Sequence, residues 1–185
     1  MKSRRVTWLI VLLLVVIVAT SLVLVLHKNA PAPAKQNLTQ TPTITTNDVS
    51  YIAPTNWAQL TKTELSKEGA ASGIGRLSAP PAKFTIAIEP TLSSPKTAAS
   101  LRTQTLLGLQ HLTSYTFVSE KTTPVGGETA EQFIYTFGNS DKTEQQLFVI
   151  LHEGRAFSLL FTANQKDFGS QVTDFQKIIH SFRFQ

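Results

Sequence analysis

Four histidines, twelve carboxylates and a scatter of serines are the groups through which this chain of 185 residues could do chemistry. His27, His111, His152 and His180 are far apart, and none has a second histidine or a paired carboxylate at zinc-ligand spacing. No serine occupies a G-x-S-x-G elbow. Gly73-Ile74-Gly75 lacks the lysine and the later glycines of a nucleotide loop, so it reads as flexible chain between two early strands. Asp167 and Asp174 lie on one helix and read as a cap and a solvated residue rather than as a general acid/base pair. Glu128 and Glu131 flank a strand start, where exposure to solvent accounts for them. Only residues distant in sequence, such as His152 with Glu131 or Asp141, could converge into a catalytic cleft. The expectation is a chain with no catalytic residue, no metal site and no cofactor: not an enzyme.

Cysteine is absent, which excludes disulfides, thiolate metal ligands, a cysteine nucleophile and a lipid-modified cysteine. The formal charge of +5 invites a nucleic-acid reading, but its distribution argues against one. All twelve acids lie beyond position 47, where twelve of the seventeen basic residues match them one for one. The remaining five, Lys2, Arg4, Arg5, Lys28 and Lys35, sit near the N-terminus. A nucleic-acid binder needs its basic patch on the folded domain, so no nucleic-acid partner is expected.

Those N-terminal charges flank the run Trp8–Leu26, interrupted only by Thr20 and Ser21. A helix of that length covers ~28 Å, close to the hydrocarbon thickness of a bilayer. Lys2, Arg4 and Arg5 precede it without an offsetting acid, which keeps the N-terminus cytoplasmic and exports the rest. The competing reading is a cleaved signal peptide ending near Ala32-Pro33-Ala34; the length of the apolar run favours an anchor. Residues 27–47, rich in Pro, Ala, Thr, Gln and Asn, cannot bury enough surface to order themselves and read as a mobile tether. The expected order is a cytoplasmic tail at 1–7, a transmembrane helix at 8–26, a linker at 27–47 and an extracytoplasmic domain at 48–185.

Within that domain, Val49 and Tyr51 alternate before a Pro54–Trp57 turn, and Phe84, Ile86 and Ile88 form a strand face. Ser94-Pro95 reads as the cap of a helix carrying Ala98, Leu101, Leu109 and Leu112 on one stripe. Four strands follow over 115–121, 129–137, 144–152 and 155–163, separated by a loop containing Pro124 and Gly126-Gly127, by 138–141 and by Glu153-Gly154. The unbroken Leu147–Leu151 predicts a central strand buried on both sides. Phe168, Val172, Phe175 and Ile179 give a closing helix, with Asp167 as its expected cap. Phe133, Tyr135, Phe137, Phe148, Phe157, Phe161, Phe168 and Phe175 could line a pocket, but their periodicity assigns them to the core. The fold class is α+β, a central antiparallel sheet flanked by helices.

Two stretches carry a resemblance. The opening Tyr51-Ile52-Ala53-Pro54-Thr55-Asn56-Trp57 runs an extended aromatic segment into Pro-x-x-Trp. The ending runs Ala156-Phe157-Ser158-Leu159-Leu160-Phe161-Thr162-Ala163 into Phe168 and a helix that finishes on Ile179-His180-Ser181-Phe182. Both resemble PsbP-like (Mog1/PsbP/DcrB-like) domains. The resemblance implies an α/β/α sandwich and an accessory, assembly or binding role without catalysis. No metal or partner site carries over from that family residue by residue. The functional expectation is a membrane-anchored domain, held through Trp8–Leu26, that binds or scaffolds a protein partner in the cell envelope. The alternative is a carrier of a small hydrophobic ligand in a cavity of the same domain.

Overall fold

The computed structural model describes residues 41–89 and 97–185. Trp8–Leu26, the basic tail, most of the tether and Ser94-Pro95 lie outside these residues. The described elements run β1 (Thr43–Thr45), β2 (Val49–Ile52), β3 (Trp57–Gln59), α1 (Lys62–Glu68), β4 (Ser72–Arg76), β5 (Ala82–Ile88), α2 (Ala98–Leu109), β6 (Thr116–Val125), β7 (Glu128–Phe137), β8 (Thr143–His152), β9 (Arg155–Asn164), α3 (Gln165–Ser181) and β10 (Arg183–Phe184). Seven strands form one antiparallel sheet in the order β3-β4-β5-β9-β8-β7-β6, and β1-β2-β10 form a second, smaller one.

Strand alternation divides the apolar side chains between two layers. Phe84, Ile86, Phe148, Ile150, Phe157, Leu159 and Phe161 meet Phe168, Phe175 and Ile178 of α3, together with Tyr51 and Phe182. Phe133, Tyr135, Phe137, Leu147, Val149 and Leu160 face the other way and meet Leu101 and Leu109 of α2. A helix therefore covers each face of the antiparallel sheet, and the expected α+β architecture holds for the domain. Leu147 to Ile150 are buried, as a strand covered on both faces requires.

Several local readings change. The sheet structure begins at Thr43, inside the segment read as tether, because Ile44 is buried opposite Tyr51. Gly73-Ile74-Gly75 is not loose chain but the middle of β4. A Cβ at Gly73 would lie 3.0 Å from the Leu60 side chain and 2.9 Å from the Phe84 carbonyl, so glycine is what lets Leu60 lie across the strand. Helix α1 has no buried residue and rests on its ends. The Thr61 amide donates to Glu64 at 2.8 Å, the Glu64 amide donates to the Thr61 hydroxyl at 3.3 Å, and Gly69 closes the helix in the left-handed region. The Thr61 amide first, and then its hydroxyl at 2.8 Å, donate to the Glu64 carboxylate and hold it below its usual range. Helix α2 is capped by Thr97 with Ser100 in a reciprocal box, and α3 by Asn164 rather than Asp167. Pro124 lies within edge strand β6, where a missing N–H is tolerated.

Beneath α2 a polar row crosses the sheet. Tyr135, Gln145 and Thr162 stand directly opposite one another on β7, β8 and β9. The Tyr135 hydroxyl donates to Gln145 Oε1 at 2.6 Å, and Gln145 Nε2 donates to Thr162 Oγ1 at 2.9 Å. Burial pushes the Tyr135 phenol far above its ordinary value, with Tyr115 adding to the shift. The unfolded chain ionises this phenol near pH ~10 and the folded chain does not, so its stabilising contribution is complete below that pH and is lost as pH rises further. Tyr135→Phe should lower stability by about 1–2 kcal/mol near neutrality, because Gln145 loses its donor, and should make the alkaline decline shallower. Urea melts from neutral to alkaline pH check both effects; identical alkaline slopes would contradict the assignment.

Candidate functional site

The residues with the most chemical capacity gather at one end of the large sheet. His152 ends β8, and its Nδ1 lies 2.8 Å from Oε1 of Glu128 at the start of β7. The hairpin register dictates this pairing: Ala130 opposes Ile150, so two residues further Glu128 reaches His152. Glu131 opposes Val149 and interacts instead with Thr122 at 3.3 Å. Asp141 precedes the far end of the ten-residue β8, roughly 30 Å away at strand rise. His152 thus meets neither of the carboxylates that could have joined it in a cleft.

The imidazole stacks on Phe184, ring centroids 4.0 Å apart and planes 15° from parallel. Phe184 in turn packs edge-on against Phe157 and Phe182, each at 5.1 Å. Beside them Arg155 pairs with Asp48, its guanidinium 5.3 Å from the Phe157 ring. Asp48 also accepts the Gln185 amide at 3.0 Å through its carbonyl. The Arg155–Asp48 pair and the His152–Phe184 stack therefore fasten the opening and the last strand of the domain to the central hairpins, while His152–Glu128 ties β8 to β7. Among the described residues no group of three or more histidines or carboxylates could hold a metal ion.

Other candidate residues resolve into structural roles. Asp174 is more than a solvated residue: it accepts a hydrogen bond from Trp57 Nε1 at 3.4 Å and pairs with Lys177 at 3.2 Å. Asp167 stands in the first turn of α3 without capping it. His180 lies in the last turn of α3, where its carbonyl accepts from Arg183 at 2.9 Å. His111 follows α2, its amide bonded to the Gly108 carbonyl, and His27 lies outside the described residues. All eight aromatics are buried, and Phe161–Phe175 stack at 4.6 Å with Phe148 and Phe168 packed around them.

One polar strip was missed in the sequence. Gln132, Thr136 and Gln146 are 4%, 2% and 9% exposed, on the sheet face that carries α3. Unlike buried Gln145, none of the three has a side-chain hydrogen bond within the described residues. Among the described residues no fully enclosed side-chain N or O atom lacks a partner, so the polar atoms of these three residues open to solvent. The signal in the sequence was polar residues at the inward positions of β7 and β8, between Ala130 and Ile134 and ahead of Phe148.

Gly126 tests the packing at the sheet end. It has φ +61°, and an added Cβ would lie 3.0 Å from both Phe182 and Phe184; Gly69 has the same φ with nothing within 4 Å. Gly69→Ala should lower stability by about 1 kcal/mol from backbone strain alone, and Gly126→Ala by about 2–3 kcal/mol. Thermal melts of the two variants measure the gap; equal losses would show that the phenylalanines move aside freely.

No family model matches the sequence, and no curated protein matches it. Solved structures do. LpqN, involved in cell envelope biogenesis of Mycobacterium tuberculosis, is 15% identical with a TM-score of 0.57, covering 74% of this chain and 83% of its own. The cyanobacterial PsbP of Synechocystis is 11% identical with a TM-score of 0.55, covering 84% of this chain and 100% of its own. At these identities the likeness is one of fold. These likenesses give the chain, an antiparallel sheet with a helix on each face, a PsbP-like fold.

Proposed function

We propose that the chain is a membrane-tethered accessory protein whose PsbP-like domain stands outside the cytoplasm and binds or scaffolds another component of the bacterial envelope. The observation that carries this reading is the use made of the reactive groups. His152, Glu128, Arg155, Asp48 and Asp174 all join elements of the fold to one another, and among the described residues none converges with a nucleophile or a third acid–base group. The neutral charge balance beyond position 47 agrees with a protein partner more than with nucleic acid. The run Trp8–Leu26 with its preceding cations supports the anchor and its orientation. Sharing its fold with a protein of mycobacterial envelope biogenesis supports the location. The carrier reading loses its lining, because the eight rings that would form it pack among one another and the core.

The absence of native cysteine permits a direct test of topology. Ser3→Cys and Asp141→Cys variants, expressed at full length, are treated in intact cells with a membrane-impermeant maleimide. Labelling of the Asp141→Cys chain alone, with the protein in the membrane fraction, is the expected result. Labelling of Ser3→Cys alone would reverse the orientation, and a soluble chain lacking its N-terminus would establish a cleaved signal peptide.

A further inference from the structure

Five large apolar side chains of the described residues are exposed: Ile52, Leu77, Leu107, Phe117 and Val118. The first two stand where the described chain begins. Pro42 accepts the Ala53 amide at 2.9 Å and Thr43 pairs with Ile52, so the chain arriving from its N-terminal part enters alongside Ile52. From there the Pro54–Trp57 turn leads to Leu77, whose amide donates to the Asn56 carbonyl at 2.7 Å. One face of α3 closes the same side. The Ser181 hydroxyl accepts the Ile52 amide at 2.9 Å, Asp174 accepts from Trp57, and Lys177 lies between them with its side chain 62% exposed. Arg183 opposes Ser50, and so shares with Ile52 the outer face of the small sheet. Arg76 opposes Trp57 and precedes Leu77. This side of a neutral domain gathers three cations around two exposed apolar side chains, with Asp174 as the carboxylate in their contacts.

We propose that this side of the domain docks on the bilayer that holds the chain's own anchor. Ile52 and Leu77 enter the headgroup layer, and Lys177, Arg183 and Arg76 pair with anionic lipid phosphates. The place where the chain enters argues for that occupant. Fourteen residues, 27–40, separate the apolar run from Thr41, and whatever path they take they span at most ~50 Å. The domain is thereby confined near one leaflet at a high effective concentration, with the entry side first in reach. Two apolar side chains and a few cations would hold a free protein on a membrane only weakly. They suffice where an anchor already supplies the first attachment. The sign of the charge fits too, since each cation near an anionic surface adds attraction that salt removes. Phe117 and Val118 lie on β6, at the opposite end of the strand order from β3 and roughly 30 Å across the sheet. Docking turns that edge away from the bilayer. The assignment rests on the anchor reading and adds the orientation in which the domain is held.

The test follows a dye attached at Thr55→Cys, in the turn between Ile52 and Leu77, on the full chain reconstituted in vesicles containing a headgroup-nitroxide lipid as quencher. Val118→Cys, exposed but on the far edge, is the reference. In vesicles of phosphatidylglycerol and phosphatidylcholine the Thr55 dye should be quenched several-fold more than the Val118 dye. Lys177→Glu should lower the docked-to-free ratio by about tenfold there, and far less in phosphatidylcholine alone. Ile52→Ser/Leu77→Ser should relieve the quenching in both lipids. Each of these changes falls on an exposed side chain and leaves the core untouched. Equal quenching at Thr55 and Val118, the outcome if this side receives a protein instead, would overturn the proposal, as would quenching that neither variant relieves. A dye at Trp8→Cys separates docking from anchoring. If it is shielded from aqueous iodide while the Thr55 dye stays unquenched, the anchor stands and the docking falls; if it is open to iodide, both fall.

Discussion

Strand β9 pairs with β5 from Ala82 to Ile88 and with β8 along its whole length, and through these two ladders the early strands and the late meander become one sheet. Phe161 shows what that position demands. Fully buried, it stacks on Phe175 of α3, touches Trp57 and Phe168, and opposes Phe84 and Gln146 across the ladders. The β5–β9 contact closes a long loop, a large entropic cost that local hairpins do not bear. What offsets it is the burial of alternate β9 side chains in both layers, Phe157, Leu159 and Phe161 under α3, Ala156 and Leu160 under α2.

Once β9 is central, the ends of the domain have one place to go. Helix α3 leaves β9 and runs back along the sheet, delivering Phe182 and Phe184 to the turn at Gly126 and to the His152 ring. The opening of the described chain arrives there too, Asp48 meeting Arg155. Groups that in isolation look like acid–base equipment thus serve as fasteners.

Much of this was legible in the sequence, for physical reasons that differ by element. Strands β6 to β9 and helix α3 announced themselves because one-sided burial imposes a period, and Phe133–Tyr135–Phe137 and Phe168–Phe175 kept it. Helix α1 had no period to show, since it buries nothing; only Thr61, Glu64 and Gly69 marked its ends. Gly73 and Gly75 suggested loose chain because the reason for them, the Leu60 side chain, arrives from another strand's end. The Thr-rich start of β1 looked like tether because a single residue, Ile44, anchors it. At the candidate site the sequence excluded much and located little. The His152–Glu128 contact depends on hairpin register, and the burial of Gln132 and Gln146 on how the sheet face is covered, which no spacing reveals.

The central claim, that the domain works by holding a polypeptide and not by chemistry or by carrying a small molecule, is tested most directly by native mass spectrometry of the full chain released from its own membrane in mild detergent. The account predicts a complex heavier by a second polypeptide, which on activation yields the bare chain with no retained adduct. A chain that leaves the membrane alone but keeps a small molecule or metal bound through activation would contradict it.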